Sequence, residues 1–181
     1  MHAASELTLT STYHACNQVA GILRGHLAAA LKLLSSAKPS GPTIHAARKE
    51  LKHARATLRL LRESVDPEHF RAEDAALREA AQHLNEIRDS DAMYRAFLQL
   101  RESGKDEIPR ANLEPLGRLL QAQRSAAFQK LPKHLTTVRT LLTQAKERTR
   151  DWHVANDLEL LVRWRFLGGV KVGSPFAVAP P

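Results

Sequence analysis

Apolar residues recur along this chain every three or four positions, and almost nowhere every second one. Val19, Ile22, Leu23, Leu27, Ala30, Leu31 and Leu34 form one such series. Ile44, Ala47, Leu51, Ala54, Leu58, Leu61 and Val65 form a second. That period places each series on one face of an α-helix. No segment alternates β-branched and aromatic residues between turn signals, so no strand is expected. Helices are predicted over residues 6–37, 43–65, 66–101 and 112–152, with a short one over 156–166. Lys38-Pro39-Ser40-Gly41-Pro42 separates the first two. Thr43 is expected to cap the second, and Asp66 to cap the third with Pro67 at its first position. Ser103-Gly104-Lys105-Asp106 ends the third. Pro115 falls in the first turn of the fourth, and Pro132 inside it should kink or divide it. Gly21 and Gly25 weaken the first helix or let a neighbour approach closely. The expected fold is all-α: an up-and-down bundle of about four long antiparallel helices. Residues 1–167 are expected to form a single helical domain, and the Gly/Pro-rich residues 168–181 a disordered tail.

The length of 181 residues suits one packed core. Lys and Arg total 27 against 19 Asp and Glu, a net charge of +8, which points to an anionic partner. Charge alone does not separate nucleic acid, an acidic membrane surface and polyphosphate. No stretch approaches the apolar length of a membrane span, so no membrane partner is expected. The single cysteine, Cys16, permits no intrachain disulfide and suits a reducing compartment. Residues 1–13 lack a basic region followed by an apolar run, so a cytoplasmic location is expected.

The second helix narrows the choice. Beside its apolar arc, His45, Arg48, Lys49, Lys52, Arg55, Arg59 and Arg62 fall in one adjoining arc, while Glu50 and Thr57 point elsewhere. Like charges three and four apart destabilise a helix by roughly 0.2–0.5 kcal/mol per pair. A helix that needed only solubility would alternate signs. A basic face can also be simply a solvated face. The stripe's length, about 26 Å at 1.5 Å per residue, its lack of acids and its place beside the core arc favour a bound anionic chain. Arginine forks suit bidentate phosphate contacts and lysine supplies point charge.

His45, Arg48, Lys52, Arg55 and Arg59 resemble the H-x-x-R-x-x-x-[RK]-x-x-R-x-x-x-R pattern of the CHAD family, the conserved histidine α-helical domain. Leu84-Asn85-Glu86-Ile87-Arg88-Asp89-Ser90-Asp91 is similar to that family's L-x-x-x-R-D-x-D segment. The resemblance covers about residues 12–152. His53 departs from it, standing where the family often has arginine. The resemblance implies an all-helical fold that binds inorganic polyphosphate in a basic channel, beside a triphosphate-processing domain or on intracellular granules. The family usually has two helical halves. The expectation here is a truncated second half, with Arg163 and Arg165 near Trp164 at most a remnant, and a homodimer that completes the channel.

Arg88 is expected either to reach the anion, with Asp89 or Asp91 orienting it, or to form a salt bridge inside the bundle. For His45 the alternatives are an anion contact and a bond to a neighbouring backbone group. The nine histidines show no H-x-x-x-H, H-E-x-x-H or Cys/His set, so no metal site is expected. Glu86, Asp89 and Asp91 do not share a face, and no glycine-rich phosphate loop exists. Neither catalysis nor a cofactor is therefore expected. The remaining alternatives are nucleic-acid binding by the same stripe, an accessory role beside a polyphosphate-processing enzyme, a metal-dependent phosphohydrolase, and a scaffold that pairs with another helical protein.

Overall fold

Five α-helices follow one another in a computed structural model that describes residues 2–104, 109–150 and 152, with the side chains of residues 2–16 and 110 outside the described set. They are α1 (His2–Leu33), α2 (Gly41–Leu60), α3 (Pro67–His83), α4 (Asn85–Ser103) and α5 (Arg110–Arg148). No strand occurs among the described residues. The helices expected over residues 156–166, the tail 168–181, Lys105-Asp106 and the remnant Arg163, Trp164 and Arg165 lie outside those residues.

The bundle runs up, down, up, down, with α3 and α4 together making the third rod. Arg55 of α2 meets Asp74, Arg48 meets Ala81, and Gly41 meets Asp91. Numbers fall along α2 as they rise along α3 and α4, so α2 lies antiparallel to both. Glu73 meets Arg148, His83 meets His134, and Asp91 meets Arg124, which sets α5 antiparallel to the same rod. The core between the rods is aliphatic. The whole predicted arc of α2, from Ile44 to Val65, is buried, as are Leu23, Leu27, Ala30 and Leu34 of the first rod. Burying each Leu or Ile contributes about 1.5–3 kcal/mol. The charge repulsion along α2, roughly 1–3 kcal/mol for five or six pairs, is therefore outweighed by two or three core residues. Ile22 departs from expectation: at 53% exposure it lies outside the core arc.

Helix ends differ from the sequence reading in instructive ways. Ser40, not Thr43, caps α2: its hydroxyl accepts the Thr43 N–H at 3.3 Å, and Pro42 sits in the first turn. Asp66 caps α3 as expected, accepting the N–H groups of Glu68 and His69 at 2.8 and 3.2 Å. Those two bonds hold the Asp66 carboxyl below its ordinary pKa. α1 stops at Leu33. The carbonyl of Leu34 beyond it accepts Arg139 Nε of α5 at 2.7 Å, and that of Ser36 accepts Arg139 Nη2 at 2.7 Å. A guanidinium from a distant rod thus satisfies carbonyls that the helix end leaves bare. Pro132 does not divide α5, which continues through it and through Pro115.

The predicted third helix is broken at Leu84. Its N–H bonds back to the Ala81 carbonyl at 3.2 Å, a tightened turn, and α4 restarts at Asn85. No proline or glycine marks the position. Farther along, Gly41 at the start of α2 packs so closely on α4 that a Cβ there would collide with the Asp91 carboxylate.

Candidate polyanion groove

The α2 stripe borders a groove of about 550 Å³ between α2 and the α3–α4 rod. The reason is the arc geometry already described: the apolar arc turns into the core, and the cations beside it come to lie along the seam with the next rod. His45, Arg48, Lys49, Lys52, Arg55 and Arg59 line it from α2, and Arg88 faces them from α4. Seven of the eight residues proposed from sequence therefore converge on one surface.

Arg62 does not. The sequence reading extended α2 to Val65, but the helix ends at Leu60 with Leu61 as its C-cap, so the 100° progression no longer applies at position 62. Arg62 instead lies with its guanidinium carbon 5.8 Å from the Phe70 ring centroid, and its Nε is 3.7 Å from Glu63. The groove's cationic line accordingly spans His45 to Arg59, about 21 Å at 1.5 Å per residue.

Among these cations the structure distinguishes two groups. Arg48 donates from Nη1 to the Ala81 carbonyl at 2.7 Å and to Asn85 Oδ1. The Ala81 carbonyl thus accepts both the Leu84 N–H of the tightened turn and Arg48, and Arg48 bridges the two sides of the break. Burial lowers the Arg48 pKa from its usual value and Arg88 adds to this, while Asp89 opposes it. Arg55 donates from Nε to Asp74 Oδ1 at 3.0 Å, and Arg78 Nη2 holds the other Asp74 oxygen at 2.8 Å. Burial alone would raise the Asp74 pKa, but the two guanidinium bonds outweigh it and hold the carboxyl low. Arg88 pairs with its neighbour Asp89 at 2.6 Å. Each of these three arginines keeps N–H groups that none of these bonds uses.

His45, Lys49, Lys52 and Arg59 form the second group. All four are exposed, and none makes a side-chain hydrogen bond or ion pair among the described residues. They are spaced four, three and seven residues apart on one side of α2, so the charges of Lys49, Lys52 and Arg59 add along the groove rather than cancel.

The R-D-x-D segment divides its labour. Arg88 faces the groove, with Asp89 paired to it. Asp91 does not orient Arg88: it is 2% exposed and holds other partners. Its Oδ1 accepts Arg124 Nε at 2.8 Å, its Oδ2 lies 2.9 Å from Arg95 Nη2, and its carboxylate presses on Gly41 at the positive end of α2. Arg124 itself stacks over Phe128 and Tyr94, 4.9 and 5.6 Å from their centroids. Asp91 is thus a pin between rods. Sequence reasoning also missed Asp74, Asn85 and the Ala81 carbonyl as partners of the stripe. Asp74 and Arg78 carried a signal, an acid and a base four apart, but its link to Arg55 depends on rod register.

The histidines, scattered in sequence, are partly gathered by the fold. His83 Nδ1 lies 2.9 Å from His134 Nδ1, and burial followed by the His83 charge lowers the His134 pKa. His26, Glu50 and His53 meet on the opposite flank of α2. No described helix is long and apolar enough to cross a membrane.

Compared with known proteins, residues 21–167 match the family model of the CHAD domain. No curated protein and no solved structure matches the chain.

Proposed function

The chain belongs to the CHAD domain family, and from that premise we propose that it binds a phosphate-rich polyanion, inorganic polyphosphate foremost, along the α2 groove and does not turn it over. The observation that carries this reading is the set of three uncommitted cations, Lys49, Lys52 and Arg59, held with His45 on one wall of the groove. Keeping them together opposes helix stability, and an anionic chain lying against them offsets the repulsion. Arg48, Arg55 and Arg88 supply the remaining guanidinium edges. Their fixed bonds orient them, so a phosphate meets preset forks rather than free side chains. Arg62 takes no part in this site.

Nucleic acid is the competing ligand of the same charge. The groove lining contains no Phe, Tyr or Trp on which a base could stack, which favours a polymer of bare phosphates. In this reading a second copy of the chain, or a neighbouring triphosphate-processing domain, extends the short groove, and the protein serves in the cytoplasm or on granules.

The test is a titration of the purified chain with polyphosphates of graded length, repeated at two salt concentrations and in competition with single-stranded DNA of equal charge. Affinity should rise with length until the groove is filled, fall steeply with salt, and exceed that for DNA. Equal affinity for both polymers would replace polyphosphate with nucleic acid. Absence of binding at low salt would reject the site.

A further inference from the structure

Away from the groove, on the flank of α2 that faces α1, three side chains with metal-ligand chemistry converge. His26 comes from α1, and Glu50 and His53 come from α2, three residues apart and therefore on one face. His26 Nδ1 lies 2.8 Å from Glu50 Oε2. The His26 and His53 rings meet edge to face, with centroids 5.3 Å apart and planes at 62°. One ligand atom from each residue can be chosen so that all three lie within 4.8 Å of one another.

We infer that His26, Glu50 and His53 form a binding site for one divalent cation of the zinc class, distinct from the basic groove. A tetrahedral ion with bonds of about 2.0–2.1 Å requires its ligand atoms roughly 3.4 Å apart. The His26–Glu50 pair must therefore open by about half an ångström, and the widest gap must close by roughly 1.4 Å. Side-chain rotation supplies movements of that size without shifting either helix, because His26 and Glu50 are only half-buried and His53 is exposed. Two imidazoles and one carboxylate form the donor set of zinc sites that leave a fourth position to water. The set is too poor in oxygen for calcium or magnesium, which take six or more ligands. Glu50 also supplies the negative charge that a dication needs on a basic protein. The site would staple α1 to α2, adding a polar cross-link to a pair of rods already packed through the aliphatic core.

The competing account is that His26 and Glu50 are simply an ion pair with His53 beside it. To separate the two, the full chain, free of any histidine tag, is titrated with Zn²⁺ by calorimetry and with Co²⁺ by visible absorption. The expected result is saturation near one equivalent, with the intense d–d bands of four-coordinate cobalt. Affinity should fall at least tenfold in Glu50→Gln and in His53→Gln, and remain unchanged in His69→Gln, an exposed histidine on α3. His53 is exposed, so its replacement leaves the core intact, and far-UV circular dichroism checks this. No saturable binding in the unmodified chain, or binding that survives His53→Gln at full strength, overturns the assignment.

Discussion

Replacing Lys49, Lys52 and Arg59 together with alanine separates binding from folding in a way that other combinations do not. Arg48 and Arg55 hold the α3–α4 joint and Asp74, so their loss would damage the scaffold as well as the groove. The three chosen side chains are exposed and make no bond among the described residues. Their removal deletes four or five like-charge neighbours along α2, at roughly 0.2–0.5 kcal/mol each, and alanine is the best helix former. Stability in urea should hold or rise by about 1 kcal/mol. Binding should respond very differently. The groove holds six Lys or Arg side chains: Arg48, Lys49, Lys52, Arg55, Arg59 and Arg88. If each neutralises one phosphate of a single-stranded polyanion, log K against log salt has a slope of about −4. Halving the number should halve the slope to about −2. At about 1 kcal/mol per exposed cation, affinity should drop by about 3 kcal/mol, on the order of 150-fold. Fluorescence anisotropy with labelled polyphosphate over a salt series measures both quantities. Affinity within threefold of the parent, or an unchanged slope, would show that the polyanion lies elsewhere.

The scaffold makes its own predictions. Gly41→Ala drives a methyl group into the Asp91 carboxylate and should cost about 1–3 kcal/mol as overpacking, read by urea denaturation. Glu73 is 1% exposed and takes two bonds from Arg148, at 2.6 and 3.0 Å, bonds that raise the Arg148 pKa. Arg148→Ala leaves that carboxylate buried alone and should cost about 2–3 kcal/mol, whereas Glu73→Gln, which keeps one of the two hydrogen bonds and buries no charge, should cost less in the same assay. Asp74 has a depressed pKa in the folded protein. Its contribution is therefore present above its unfolded pKa near 3.9 and lost as pH falls through the lower folded value. Asp74→Asn should lower the denaturation midpoint at neutral pH and flatten its decline in acid. A parallel acid profile in the two proteins would contradict the Arg55–Asp74–Arg78 network.

Periodicity was enough to write down the rods and their inward faces. Ile44, Ala47, Leu51, Ala54 and Leu58 of α2 are all buried, because a period of 3.6 residues can bury an apolar series in only one way. The basic stripe was legible for the same reason: its members share an arc whatever surrounds them. Family membership, too, could be read from the H-x-x-R and R-D-x-D spacings, which helix geometry keeps in register. Local signals decided little at the joints. Leu84 carries no breaker, yet the rod is interrupted there, with Arg48 of another rod bonded to the carbonyl and amide on either side. Arg62 shared the sequence pattern of its neighbours and left the groove because α2 ends two residues earlier.

What the sequence by itself determined was which residues lie on the same face of each helix, since that depends only on spacing along one chain segment. Which cations keep their charge free for a ligand was decided only when the rods packed. Arg55 finds Asp74, Asp91 finds Gly41 and Arg124, and His26 finds Glu50 and His53 through contacts between segments that sequence separation hides. Those pairings depend on the relative register of antiparallel helices, and register is set by how the aliphatic core interlocks, not by any one residue's chemistry.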